Sequence, residues 1–128
     1  MNNLEDNDFE NLTKAIKLIQ SQVKWKSINK AEIHLAKRIK LGHLPNNSSL
    51  DDYQKVIQTI ILDDESEIYI FQDNNCFYPT VTNKIDYKFW IVMFSLSGIM
   101  ETAFPPSNPE KYLKNNPFVY IGKLKELI

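Results

Sequence analysis

Residues 28–42, INKAEIHLAKRIKLG, combine a histidine with two cations at helical spacing. His34 precedes Lys37 by three residues and Arg38 by four, and residues at these separations are neighbours on an α-helix. Arg38 is the only arginine in the chain, and a guanidinium can hold a phosphate or a carboxylate in two places. An imidazole has a pKa near neutrality, so it can take up or release a proton. These residue types predict an acid or base beside an anion-binding group.

Each of these residues also has a structural explanation. A lone histidine on a helix is often bonded to a backbone group, and a Lys-Arg pair is often a solvated face. The acidic DDESE run at residues 63–67 could also pair with the two cations. The sequence alone leaves the catalytic and the structural explanation open for His34, Lys37 and Arg38.

The composition is that of one globular domain, which we place at residues 1–128. Of the 128 residues, 43% are hydrophobic and 24% are charged, which are ordinary globular values. No apolar run approaches the ~20 residues needed to span a bilayer, and the first ten residues are acidic, unlike a signal peptide. One cysteine, Cys76, excludes an internal disulfide. We therefore expect a soluble, unprocessed, cytoplasmic protein without a membrane partner.

Charge is distributed unevenly along the chain, although the net charge is only -1. Residues 24–40 carry five lysines and one arginine against a single acid, Glu32. A basic island on a near-neutral protein is the footprint expected of a site for an anionic ligand. The three glycines form no phosphate-binding motif, and His34 and His43 lack an accompanying carboxylate motif for a metal. We therefore expect no cofactor and no metal.

Helical periodicity dominates the first half of the chain. Residues 1–27 contain an amphipathic first helix, and residues 28–62 contain the cationic helix and a third helix. Gly42 should end the cationic helix, because glycine readily adopts the left-handed conformation after a helix end. Ser49 with Asp52 three residues later resembles a capping box, which predicts that the third helix starts there.

After residue 67 the pattern changes to short runs rich in aromatic and branched residues. We predict strands at residues 68–72, 76–82, 87–95 and 99–104, joined by connections too short for crossover helices. Residues 67–104 should therefore form a four-stranded antiparallel meander, followed by a C-terminal extension at residues 105–128 with a short helix and a packed segment. Helices first and a sheet afterwards indicate an α+β fold with the N-terminal helices on one face of the sheet.

The uncovered face of this sheet is a candidate binding surface. Alternation along the last strand predicts that Glu101 and Thr102 point to opposite faces, so that only one of them reaches a given site. Glu101 is an alternative general base. Candidates to line the surface are the polar residues that interrupt the strand patterns: Tyr69, Tyr78, Thr80, Lys88, Glu101 and Thr102.

The helix carrying HLAKR, the glycine after it and the strands ending in WIVMFSLSGIMETAFPP resemble the barnase/EndoU/colicin/RelE-like (BECR) superfamily of small ribonucleases, especially its phage and toxin branches. The resemblance covers roughly residues 32–113. It implies that His34 is the helical histidine, that Lys37 or Arg38 is the basic position after it, and that Thr102 is the strand hydroxyl. Phe104 stands where a tyrosine often appears, and His43 would be the second histidine of some branches.

The resemblance implies a metal-independent endoribonuclease of toxin type, inhibited by an acidic partner protein. RNA would be cleaved by transesterification, in which the ribose 2′-OH attacks the adjacent phosphorus. His34 would act as general acid or base, Arg38 and Lys37 would hold the phosphate, and Thr102 would orient it. Tyr69 and Tyr78 would stack on bases, and Lys88 and His43 are further substrate-binding candidates.

Two other functions remain open from the sequence. The chain could be a non-catalytic interaction module, such as an immunity or antitoxin-like protein, whose functional surface would be an acidic or aromatic patch. It could also bind a small anion or a nucleotide without turning it over, using the same cations.

Overall fold

The structure is a computed structural model that describes residues 6–128. Four consecutive strands occupy the middle of the chain, with mixed helices and strands before and after them. In chain order the elements are α1 (Asp6–Ser21), β1 (Lys24–Trp25), α2 (Ile28–Lys40), α3 (Leu50–Leu62), β2 (Glu67–Asp73), β3 (Cys76–Ile85), β4 (Lys88–Phe94), β5 (Ile99–Phe104), α4 (Pro109–Asn115), β6 (Phe118–Lys123) and α5 (Leu124–Leu127).

The α+β class is confirmed, but the prediction of a four-stranded antiparallel sheet is wrong. Strands β2 to β5 form the expected meander, within a six-stranded mixed sheet of order β1-β5-β4-β3-β2-β6. Strand β1 pairs with β5 in parallel, and β6 pairs with the outer side of β2. The sequence does not indicate β1, because two residues are too few to show alternation. It does not indicate the partner of β6 either, because this depends on the path of the chain between β5 and β6.

The main core lies between one sheet face and helices α1 and α3. Ile16 and Ile19 of α1, together with Ile57 and Ile60 of α3, are fully buried against inward-facing strand residues. Burying each such side chain stabilises the fold by about 1.5–3 kcal/mol. Helix α2 is different, because its only buried residues are Ala31 and Arg38. It packs along β1 and β5 at one side of the sheet.

Two predicted helix boundaries are confirmed. Ser49 Oγ accepts a hydrogen bond from the Asp52 amide at 3.1 Å, and the Asp52 carboxylate accepts one from the Ser49 amide at 2.8 Å, so α3 begins with a capping box. Helix α2 ends in a Schellman motif, in which Gly42 has φ +75 and the His43 amide donates to the Arg38 carbonyl at 2.8 Å. This turn fixes the His43 backbone beside Arg38.

Candidate active site

A cavity of about 420 Å³ opens where the start of β5 meets the N-terminal half of α2. Ser27 caps α2 by accepting a hydrogen bond from the Lys30 amide, so only Lys26 and Ser27 separate β1 from the helix. This arrangement brings side chains from β1, α2, β3 and β5 to one place. The principal polar and aromatic groups of the wall are Trp25, Lys30, His34, Tyr78, Glu101 and Thr102.

A register shift in β5 places both Glu101 and Thr102 at the cavity, so the prediction that they face opposite sides is wrong. Met93 of β4 pairs with Thr102, but the next residue, Phe94, pairs with Met100. Glu101 is therefore the extra residue of a β-bulge. A bulge interrupts strict alternation and redirects a side chain, and bulges are over-represented beside active sites.

His34 is held between an aromatic ring and a hydroxyl. Its ring centroid lies 5.2 Å from that of Trp25, and its Nδ1 lies 3.5 Å from Thr102 Oγ1, which is a long contact for a hydrogen bond. Burial lowers the pKa of His34, and the positive charge of Arg38 lowers it further, while Glu101 acts in the opposite direction. The imidazole is therefore mainly neutral at pH 7, in contact with a hydroxyl and under the influence of a carboxylate.

Arg38, one helical turn beyond His34, is a buried cation with no acidic partner in the described part of the chain. Only 4% of the residue is exposed, its guanidinium carbon lies 5.6 Å from the centre of the Phe104 ring, and its Nε has no hydrogen-bond partner. None of the ion pairs found among residues 6–128 includes it. A buried charge without a counterion is costly. Arg38 is not among the residues that line the cavity, so it influences the site through its charge.

The lysines that line the cavity are Lys26 and Lys30, not the predicted Lys37. Lys30 lies one turn before His34, whereas Lys37 is exposed and lies outside the cavity wall. Lys30 and Lys37 both lower the pKa of His34 through their charge. The helical-neighbour rule that singled out Lys37 would also have found Lys30 if it had been applied toward the N-terminus.

Tyr78 lines the cavity, whereas Tyr69 does not. The residues opposite one another across the sheet are Thr102, Met93, Thr80 and Tyr69, so Tyr69 lies three strands, about 14 Å, from Thr102. Its ring packs instead against Phe118 and Tyr120 of β6. Thr80 is fully buried, so it cannot line a binding surface as predicted.

Lys88 and His43, the two remaining candidates, come together in a second cavity of about 410 Å³. This cavity lies between the end of α2, the turn joining β3 to β4, and the prolines that follow β5. Burial lowers the pKa of His43, and the charges of Arg38 and Lys88 lower it further. Arg38 therefore acts electrostatically on the histidines of both cavities.

Trp25 is a cavity residue that the sequence analysis missed. Its indole packs against both His34 and Tyr53, and its buried Nε1 has no hydrogen-bond partner. A tryptophan immediately before a helix cap gives no periodic signal, because only the parallel pairing of β1 with β5 brings it to His34. Ser95 and Ser97 also line the cavity and were also missed. They belong to the turn before β5.

Searches of the described residues give two further results. Within residues 6–128, no group of three or more His, Cys, Asp or Glu side chains could hold a metal ion. In the same part of the chain, no helix has the length and apolar character needed to cross a membrane. Comparison of the chain with protein-family models, curated proteins and solved structures gives no match.

Proposed function

We propose that the protein is an endoribonuclease that cleaves RNA by attack of the ribose 2′-OH on the adjacent phosphorus, with fixed cations in place of a metal ion. One observation carries this proposal. Arg38 is buried without a counterion, one helical turn from an imidazole that contacts the Thr102 hydroxyl. The charge of Arg38, proton transfer at His34 and hydrogen-bond donation by Thr102 are thereby close together, and Lys26 and Lys30 are the cations of the cavity wall.

In the proposed reaction, the scissile phosphate binds in the cavity beside Lys30, within the electrostatic field of the buried Arg38. The neutral imidazole of His34 accepts the proton of the 2′-OH as that oxygen attacks phosphorus, and general base catalysis of this kind typically contributes 10²–10⁴-fold. Negative charge develops on the phosphorane and is stabilised by Arg38 and Lys30. The bond to the 5′-oxygen then breaks and this oxygen takes a proton from water, while the His34 imidazolium returns its proton to the solvent, which gives a 2′,3′-cyclic phosphate and a 5′-hydroxyl.

Glu101 and Thr102 support His34 in this scheme. The Glu101 carboxylate acts against the cations that lower the pKa of His34, so it favours the imidazolium that forms as the proton is transferred. The Thr102 hydroxyl contacts the ring nitrogen and limits its orientation. If Glu101 is itself the base, Glu101→Gln should abolish cleavage as completely as His34→Gln does.

The test is cleavage of an end-labelled single-stranded RNA in the presence of EDTA. We expect wild-type protein to produce fragments ending in a 2′,3′-cyclic phosphate and His34→Gln to be ~10²–10⁴-fold slower. Lys55→Ala is a suitable control, because Lys55 is exposed and lies on α3, outside the cavity wall. An RNA with a single 2′-deoxyribose at the cleavage position should be uncut there.

A negative result has a clear meaning. If wild-type protein cleaves no RNA faster than the His34→Gln, Arg38→Met double variant, the enzyme proposal is abandoned. Expression provides a second comparison, because an active nuclease should arrest a host that tolerates His34→Ala. An immunity-like interaction module should be harmless in both forms.

A further inference from the structure

The second cavity has the shape and chemistry of a separate anion site. It is bounded by Gly42 and His43 after α2, by Tyr87 and Lys88 of the β3–β4 turn, and by Pro105 and Pro106 after β5. A Cβ built on Gly42 would meet nothing within 4 Å, so the floor beside His43 is open space. Its volume, about 410 Å³, is similar to that of the catalytic cavity.

The charges around this cavity are positive. Arg38 and Lys88 both act on the imidazole of His43, and neither forms an ion pair within residues 6–128. Asp86 lies in the same turn, but it is not part of the cavity wall. The Nδ1 of His43 is buried without a hydrogen-bond partner, which leaves Nε2 as the ring nitrogen that can meet a ligand. These groups favour an anion over a cation or an apolar ligand.

An aromatic ring with no packing role stands at the edge of the cavity. Tyr87 is 99% exposed and has φ +71, and the preceding Asp86 has φ +48. Two successive left-handed residues suit a two-residue hairpin turn, but glycine or asparagine is usual there and a bulky side chain is strained. Strained residues of this kind cluster at functional sites. The exposed ring is suited to stacking on a nucleobase.

Arg38 lies in α2 between the residues that line the two cavities, although it lines neither of them. It lies one helical turn from His34, and its carbonyl accepts the hydrogen bond from the His43 amide. Phe104, on which the guanidinium stacks, is followed directly by the two prolines of the second cavity. A strand that binds in the first cavity and continues along α2 would therefore reach Lys88 and Tyr87 with a further nucleotide.

We infer that the cavity of His43, Tyr87 and Lys88 is a second nucleotide subsite, which holds a phosphate and base of the same single-stranded RNA next to the cleavage position. This inference rests on the proposed ribonuclease function. Lys88 and His43 contact the phosphate, and Tyr87 stacks on the base. The preferred substrate is consequently an oligonucleotide and not a dinucleotide.

The test is equilibrium binding of two fluorescent 2′-deoxy oligonucleotides, a dinucleotide and a strand of about eight nucleotides, which cannot react because they lack the attacking hydroxyl. Lys88→Glu should weaken binding of the longer strand by about tenfold and reduce the dependence of log K on log salt by about one. It should leave dinucleotide binding within about twofold of wild type. The matched control is Lys84→Glu, the same charge change on the same hairpin but outside the cavity wall.

A second variant separates binding from folding. Tyr87→Gly removes the ring and relieves the left-handed strain, so it should raise Tm while it weakens binding of the longer strand by about fivefold or more.

Equal losses for Lys88→Glu and Lys84→Glu, or equal losses for both ligand lengths, would overturn the inference. Length-dependent binding without RNA cleavage would retain the subsite as a nucleic-acid site and refute the ribonuclease. Cleavage without any length dependence would refute the subsite alone.

Discussion

Buried polar groups are hydrogen-bonded in the core beneath the sheet but lack partners in a second region along helix α2. In the core, the Tyr53 hydroxyl donates to the Ala103 carbonyl at 2.6 Å, and Ser66 Oγ donates to the Ile60 carbonyl at 2.6 Å. Along the α2 seam, by which we mean Trp25, His34, Arg38 and His43, buried nitrogens have no partners. Within residues 6–128, all three buried side-chain atoms that lack a hydrogen bond belong to this seam: Trp25 Nε1, Arg38 Nε and His43 Nδ1.

This difference distinguishes a core whose buried polar groups stabilise the fold from a seam whose buried polar groups do not. Buried polar groups in proteins are almost always hydrogen-bonded, because leaving one unpaired costs about 1–3 kcal/mol. Three exceptions on one seam, one of them a permanent cation, indicate a region that is not optimised for stability. Tyr53 joins the two regions, since its ring packs against both Trp25 and Trp90.

The largest expected effect on stability comes from truncating the core. Ile60→Ala removes a fully buried side chain of α3 and should lower the free energy of unfolding by about 2–5 kcal/mol in urea denaturation. The rate of RNA cleavage per folded molecule should not change. Leu62→Ala on the same helix is the control, because Leu62 is 57% exposed and its truncation should cost at most about 0.5 kcal/mol. Comparable losses at the two positions would contradict the assignment of Ile60 to the core.

Arg38→Met should have little effect on stability and a large effect on RNA cleavage, which is the opposite of Ile60→Ala. Replacing a buried, unpaired cation by an apolar side chain of similar length should leave the free energy of unfolding unchanged or raise it by about 1 kcal/mol. The same change should slow RNA cleavage by about 10²–10³-fold, because the charge on the phosphorane loses its stabilising cation. Lys37→Met on the exposed side of α2 is the stability control.

A destabilisation of 2 kcal/mol or more by Arg38→Met would mean that the guanidinium supports the fold. In that case the contrast between core and seam disappears, since Arg38 would be a structural residue like its buried neighbours. Denaturation and cleavage must therefore be measured on the same preparation.

The smallest expected effect is a dependence of stability on pH. The pKa values of His34 and His43 are lowered from the ordinary 6.5, so the unfolded state binds more protons than the folded state as the pH falls below that value. Stability should be fully present above about pH 6.5 and should decrease as the pH falls toward the folded pKa values. Carboxylates with lowered pKa values, such as Glu65, lose their contribution only at lower pH.

NMR titration of the two imidazoles checks this directly. In Arg38→Met the pKa of each histidine should rise toward 6.5, because one of the charges that lowers it is gone. Inorganic phosphate added to wild-type protein should act in the same direction if it binds beside Arg38. Histidines that titrate at or above 6.5 in the free protein would show that the seam is neither buried nor cationic enough to prepare an anion site.

Local sequence patterns were sufficient for features that depend on neighbouring residues. The capping box at Ser49 and the end of α2 at Gly42 follow from hydrogen bonds or backbone conformations within a few positions. The same helical spacing placed His34 and Arg38 one turn apart. These predictions needed no knowledge of what each element packs against.

Only the tertiary structure decided how the site is assembled. The bulge that brings Glu101 to the same cavity as Thr102 depends on the register between β4 and β5, and the position of Trp25 depends on a parallel pairing that two residues cannot signal. The absence of an acid beside Arg38 within residues 6–128 is likewise a property of the whole packing. A chain specifies locally which groups a helix or strand presents, but cross-strand register and long-range packing determine which groups meet.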